Sequence, residues 1–225
     1  MIKQLILITL LLLFTILLFE WTAIDIALQD YFYHFETQQW LIDKDNQILR
    51  LIFYDGIKKL FILFVFFVLI ALLFFRKTKI VQEYKQGLLI VLLSCLIVPL
   101  VVSGLKASTN IPCPKDINHY NGKYPYVTVF SSYPKDFQQQ GKIKCFPAGH
   151  ASGGFALLSL VFLFKRKRNK IIALISVMIL SLSIGTYKML IGDHFISHTL
   201  VTMLLAWLLI LLIRYGINNN HHRKN

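Results

Sequence analysis

What this chain has little of narrows it first. Acidic residues number 11 against 24 lysines and arginines, for a formal net charge of +13. In a soluble protein that imbalance would point to nucleic acid. Polar surface, however, is also scarce: 56% of the residues are hydrophobic and the mean hydropathy is +0.61. That is too apolar for an ordinary soluble domain. The basic residues sit between apolar runs, which suits a bilayer and an anionic lipid head group as partners and argues against nucleic acid. Three cysteines cannot frame a disulfide scaffold. There is no internal repeat, linker or low-complexity tract, so residues 1–225 read as one domain with no obligatory protein partner.

Small residues are missing where a signal peptide would need them. The first apolar run, Leu5 to Phe19, ends in Phe19-Glu20-Trp21 and offers no cleavage site, so it reads as an uncleaved transmembrane helix. Five more runs follow: Leu60 to Phe75, Gly87 to Leu105 with a kink expected at Pro99, Ala151 to Phe164, Ile171 to Ile191, and Phe195 to Ile213. The fourth is short. It reaches a spanning length of about 17–20 residues only if its helix starts near Pro147. The expected fold is therefore all-α, a six-span helical bundle. Residues 20–59, rich in aromatics and acids, read as outer-face interfacial segments closed by an Asp55-Gly56 turn.

Lys3, the basic groups at 76–79 and 165–170, and the tail His221-His222-Arg223-Lys224 all fall on one side of this arrangement. The positive-inside rule makes that side cytoplasmic, with both termini there. Residues 106–149 and the turn near 192–194 then face outward. The aromatics and lysines of the outer loop 115–144 suit lipid head groups or an interfacial belt.

Three distant pieces meet that outer face: Lys106, the turn Pro147-Ala148-Gly149-His150, and the stretch holding Lys188, Asp193, His194 and His198. A glycine-containing turn opening a helix leaves backbone N–H groups free for an anion, and a histidine beside it moves protons near neutral pH. Lys188, inside an apolar span, either snorkels to the interface or needs an anionic partner. His194 and His198 share one helix face at i, i+4. That spacing suits polar packing, or a two-histidine metal pair that Asp193 and His150 would complete. A zincin-type helix would carry glutamate directly after the first histidine, where this chain has Phe195.

Taken together, these residues resemble the type 2 phosphatidic acid phosphatase superfamily, membrane lipid phosphatases related to vanadium haloperoxidases, in a bacterial branch. Its motifs are KxxxxxxRP, PSGH and SRxxxxxHxxxD. Here the first runs from Lys106 to Cys113-Pro114, with cysteine in place of arginine. The second is Pro147-Ala148-Gly149-His150, with Ala148 in place of serine. The third runs from Tyr187-Lys188 through Asp193-His194 to His198, with lysine for arginine and His198 for aspartate. The resemblance implies a metal-free, cofactor-free mechanism. His194 attacks phosphorus and forms a phosphohistidine, and His150 protonates the leaving oxygen and later activates water. Lys106, Lys188 and the Gly149–His150 amides hold the phosphate, with Ala148 and Asp193 also expected to line its site. His198 and Asp193 stand in for the missing carboxylate that would orient the nucleophile.

Cys113 and Cys145 flank these motifs on the expected outer loop. In an oxidising compartment they can pair; the alternative is two reduced buried thiols. The implied activity is hydrolysis of a phosphate ester or anhydride of an anionic lipid at the outer, periplasmic face of a bacterial inner membrane. Candidate substrates are lipid A, undecaprenyl pyrophosphate and phosphatidylglycerol phosphate. Phosphotransfer to an acceptor lipid, or a non-catalytic lipid-binding or transport bundle, are the other readings.

Overall fold

The computed structural model describes residues 1–222; Arg223 and Lys224 of the basic tail lie outside the described residues. The chain is all-α apart from one small hairpin. Its long helices are α1 (Ile2–Trp21), α4 (Ile57–Phe74), α5 (Lys79–Ser108), α7 (Lys167–Leu190) and α8 (Ile196–His222). By length and composition, five helical segments among the described residues are apolar enough to cross a membrane. Lipid-facing character is plainest on α1 and α4, where Leu10, Phe14, Leu60 and Phe67 are all more than half exposed. Such faces suit hydrocarbon as solvent.

The fourth expected span is shorter than the others. Helix α6 (Gly149–Ala156) starts two residues after Pro147 and runs on as 3-10 turns over Leu157–Phe162. At 1.5 Å and 2.0 Å per residue these segments rise about 24 Å, less than the ~30 Å hydrocarbon core. Unlike α1 and α4, α6 is buried: Ala151, Ser152, Gly154, Phe155 and Ala156 are all inside. It packs against α5, α7 and α8, while α1 covers α8 from outside. The central core gathers Val91, Val98 and Val102 of α5, Phe155 of α6, and Ala206 and Ile210 of α8.

Residues 22–56 form a cap at one end of the bundle: α2 (Ile24–Gln29), the hairpin β1 (Tyr33–His34) and β2 (Gln39–Trp40), and α3 (Gln47–Arg50). No turn forms at Asp55-Gly56. Residues Leu51–Gly56 are instead a π-helical turn leading without a break into α4. A Cβ on Gly56 would stand 2.5 Å from the Leu51 carbonyl oxygen, so only glycine permits that wide turn. The loop between α5 and α6 folds back on this cap. Tyr120, expected among residues facing lipid head groups or a belt, is buried with Tyr33, Ile117 and Phe195. Its hydroxyl donates to Asp30 at 2.9 Å. Tyr124, Tyr133 and Phe137 likewise pack on one another, with centroids 5.2–6.1 Å apart.

Candidate active site

The turn between α7 and α8 builds most of the site. Helix α7 ends in a Schellman motif: Gly192, at φ +73°, takes the left-handed conformation that favours glycine. Its N–H donates to Met189 O at 3.0 Å, and the Asp193 N–H donates to Lys188 O at 2.8 Å. This folds Asp193 and His194 back over the end of α7. The Asp193 carboxylate then receives the Lys188 ammonium at 2.8 Å and the Lys115 ammonium at 2.6 Å, one on each oxygen. Burial would raise the Asp193 carboxyl, but the Lys188 charge and the two lysine hydrogen bonds outweigh it, so it lies below the ordinary aspartate value. Lys188 is 4% exposed, so it does not snorkel; it has the anionic partner that an intramembrane cation needs.

The second piece is the start of α6. After a cis Phe146–Pro147 bond, the Ala148 N–H donates to Thr202 Oγ1 at 2.8 Å. Ala148 therefore has no free donor to offer a ligand, and its methyl is fully buried. The amides of Gly149, His150 and Ala151 precede the first intrahelical donor, the Ser152 N–H that bonds Ala148 O at 3.2 Å, and remain free to face an anion. The Lys106 side chain crosses beside them, its Nζ 3.8 Å from where a Gly149 Cβ would stand.

The third piece is a histidine pair. His194 Nδ1 and His198 Nδ1 lie 3.3 Å apart, both rings buried. One of these nitrogens donates to the other. With His194 Nδ1 so engaged, its Nε2 is the nitrogen left for other chemistry. Burial, and then the neighbouring His198, Lys106, His150 and Lys188, hold His194 well below the ordinary histidine value of 6.5. All four groups are thus within electrostatic reach of His194. Helix α8 is anchored by a residue from the cap: the Ser197 N–H donates to Asp25 Oδ1 at 3.0 Å and its hydroxyl to Oδ2. Burial pushes the Asp25 carboxyl up to about 6, against the lowering effect of those two bonds.

Cys113 and Cys145 are joined by a disulfide with a Cα–Cα distance of 5.3 Å. The Cys145 sulfur lies 3.5 Å from His194 Nδ1. Among the described residues, Cys145, His194 and His198 are the group close enough to share a metal ion. A sulfur in a disulfide is no thiolate, so two histidines are all that remain, short of the three protein ligands of a zinc site. Asp193 is engaged with two lysines, and neither it nor His150 joins that group.

Two of the cavities that touch site residues differ in polarity. An apolar groove of about 430 Å³ runs between α4, α5, α6 and α7, lined by Phe53, Ile57, Phe61, Pro99 and Ile184, and reaches His150. A polar cleft of about 530 Å³, lined by Gln39, Trp40, Asp43 and Asp116, reaches Lys115. Lys115, Tyr54 and Asp25 are site neighbours that the motifs do not contain. Lys115 directly follows the first motif, and that adjacency was the one available signal for it.

Clustered cations, free amides at a helix start and paired histidines in an all-α bundle are chemistry suited to a phosphate group. A sequence model of the PAP2 superfamily matches residues 87–222, and the chain belongs to that superfamily. Its members are phosphatases, which makes this chain a phosphoric ester hydrolase acting on a phosphate-bearing substrate. No curated protein and no solved structure matches it.

Proposed function

We propose that the protein hydrolyses the phosphate ester or anhydride of an anionic lipid, through a phosphohistidine on His194. The observation that carries this reading is the apolar groove ending at His150. A leaving group protonated by His150 would lie along hydrocarbon-like walls. The cleft at Lys115 gives released phosphate a polar exit.

In this mechanism the phosphate displaces part of the Asp193 contact and sits among Lys106, Lys115, Lys188 and the Gly149–His150 amides. These donors stabilise charge on its equatorial oxygens, which is the main demand of phosphoryl transfer. His194 Nδ1–H donates to a neutral His198, and Nε2 attacks phosphorus. The P–O bond to the lipid breaks as His150, protonated once the anionic phosphate is bound beside it, gives that proton to the leaving oxygen. His150 then takes a proton from water, whose oxygen attacks phosphorus and breaks the P–N bond. Inorganic phosphate and free His194 result. His198 orients the nucleophile in place of a carboxylate but adds no negative charge.

The same reading takes the whole chain as one membrane domain. Both termini lie in the cytoplasm, and the site faces the periplasm of a bacterial inner membrane. Lipid A, undecaprenyl pyrophosphate and phosphatidylglycerol phosphate are the candidate substrates. The test is to incubate purified protein in detergent with these three lipids and measure inorganic phosphate. Release from at least one, unaffected by EDTA, is expected. Phosphate appearing only on an acceptor lipid would make it a transferase, and zinc-reversible EDTA inhibition would contradict the mechanism.

A further inference from the structure

Tyr54 touches two site residues at once. It lies in the π-helical turn Leu51–Gly56, outside every motif. Its ring centroid is 4.6 Å from that of His150, with the planes tilted by 41°. The Lys188 ammonium stands 4.5 Å from the same centroid. One side chain from the entrance of α4 therefore connects the first turn of α6 to the last turn of α7. The turn is itself held in place, because Phe53 stacks on Tyr187 at 5.2 Å and 20°. A π turn is a local departure from helical spacing that recurs at functional sites. Here it sets two successive aromatic residues against Tyr187, His150 and Lys188.

We propose that Tyr54 is a positioning residue for phosphate ester hydrolysis, its ring holding the His150 imidazole in line with the leaving oxygen and tethering the Lys188 ammonium beside it. This rests on the phosphatase reading above. The chemistry of the ring suits the task. A second carboxylate at this place would pair with Lys188 and cancel the charge that the phosphate needs. An aromatic face attracts the ammonium through its quadrupole and leaves its charge intact. The same ring limits rotation of a neighbouring imidazole by tilted stacking. Both contacts are made by the ring, so phenylalanine serves as well as tyrosine.

The experiment compares wild type, Tyr54→Phe and Tyr54→Leu, purified in detergent, on two phosphate monoesters. Dodecyl phosphate has a poor leaving group that needs a proton from His150. p-Nitrophenyl phosphate has one that departs without it. Tyr54→Phe is expected to keep wild-type rates on both. Read as leaving-group release in the first turnover, before the water step that needs His150 for both esters, Tyr54→Leu is expected to lose on the order of 30-fold on the alkyl ester and far less on the aryl ester. Thermal unfolding run in parallel reports whether each variant is folded. Tyr54→Met, unbranched and adaptable, takes the place of the leucine variant if that one does not fold. Equal losses on the two esters, full activity of the leucine variant, or damage by Tyr54→Phe equal to that by Tyr54→Leu would overturn the proposal. A wild type inactive on both esters would instead sink the phosphatase reading, and the proposal with it.

Discussion

His194 is the proposed nucleophile, and its surroundings keep it neutral. Burial and four nearby nitrogen-bearing side chains hold its pKa below 6.5, and a neutral imidazole is the form that attacks. As the pH falls below about 6.5 an unfolded chain takes up this proton before the folded one does, so the group destabilises the fold on the acid side. Activity behaves differently: the fraction of attacking His194 is preserved below pH 6.5. The acid limb of kcat/KM that belongs to His194 is expected below that value; a limb at or above 6.5 that disappears in His194 variants would count against this. At this scale the sequence was readable where spacing repeats a motif, as at Lys106, His150, Lys188 and His194. Lys115 and Tyr54 were not, because their proximity depends on the path of a loop and on a π turn, neither of which leaves a mark in hydrophobic periodicity.

Among the elements, the α7–α8 turn and the start of α8 set the geometry. The Schellman turn at Gly192 was legible in outline, since a glycine just past an apolar run is a common helix stop. The cap of α8 was not: Asp25 comes from α2, 172 residues before Ser197. Its carboxylate takes the Ser197 N–H and hydroxyl and faces the positive end of the helix that carries His198. Asp25→Ala is expected to cost about 1–2 kcal/mol of stability. It should also lower turnover, because the histidine pair loses its fixed start. Asp25→Asn, which keeps an acceptor, should lose less. Denaturant titration in detergent and turnover on the same samples measure both effects; an alanine variant as stable and active as wild type would refute the anchoring role.

The whole molecule is a bundle whose ends differ in kind. At the site end a folded cap and a disulfide close over the helices; at the other, short basic connections suffice. Five of the six apolar runs were legible in the sequence because each is long and nearly free of charge; the fourth, Ala151 to Phe164, forms a shorter, buried segment. The cap was legible only as mixed composition, since two-residue strands and 3-10 turns carry no period to read. The Cys113–Cys145 bridge closes a 32-residue separation and ties the segment after Lys106 to the turn before His150. On the chain-entropy model a loop of that size contributes about 3–4 kcal/mol. Maleimide labelling of denatured, unreduced protein should find one free thiol, Cys95. Reduction should expose three, lower the unfolding temperature and slow turnover. Three free thiols without reduction would contradict the bridge.

The central claim is that His194 carries the phosphoryl group, and the rate of phosphate release by His194→Ala tests it most directly. With a lipid phosphate that the wild type hydrolyses, under matched detergent and protein concentrations, the account predicts no release above background from a variant that remains folded. A folded His194→Ala protein that still releases phosphate at a substantial fraction of the wild-type rate would contradict it.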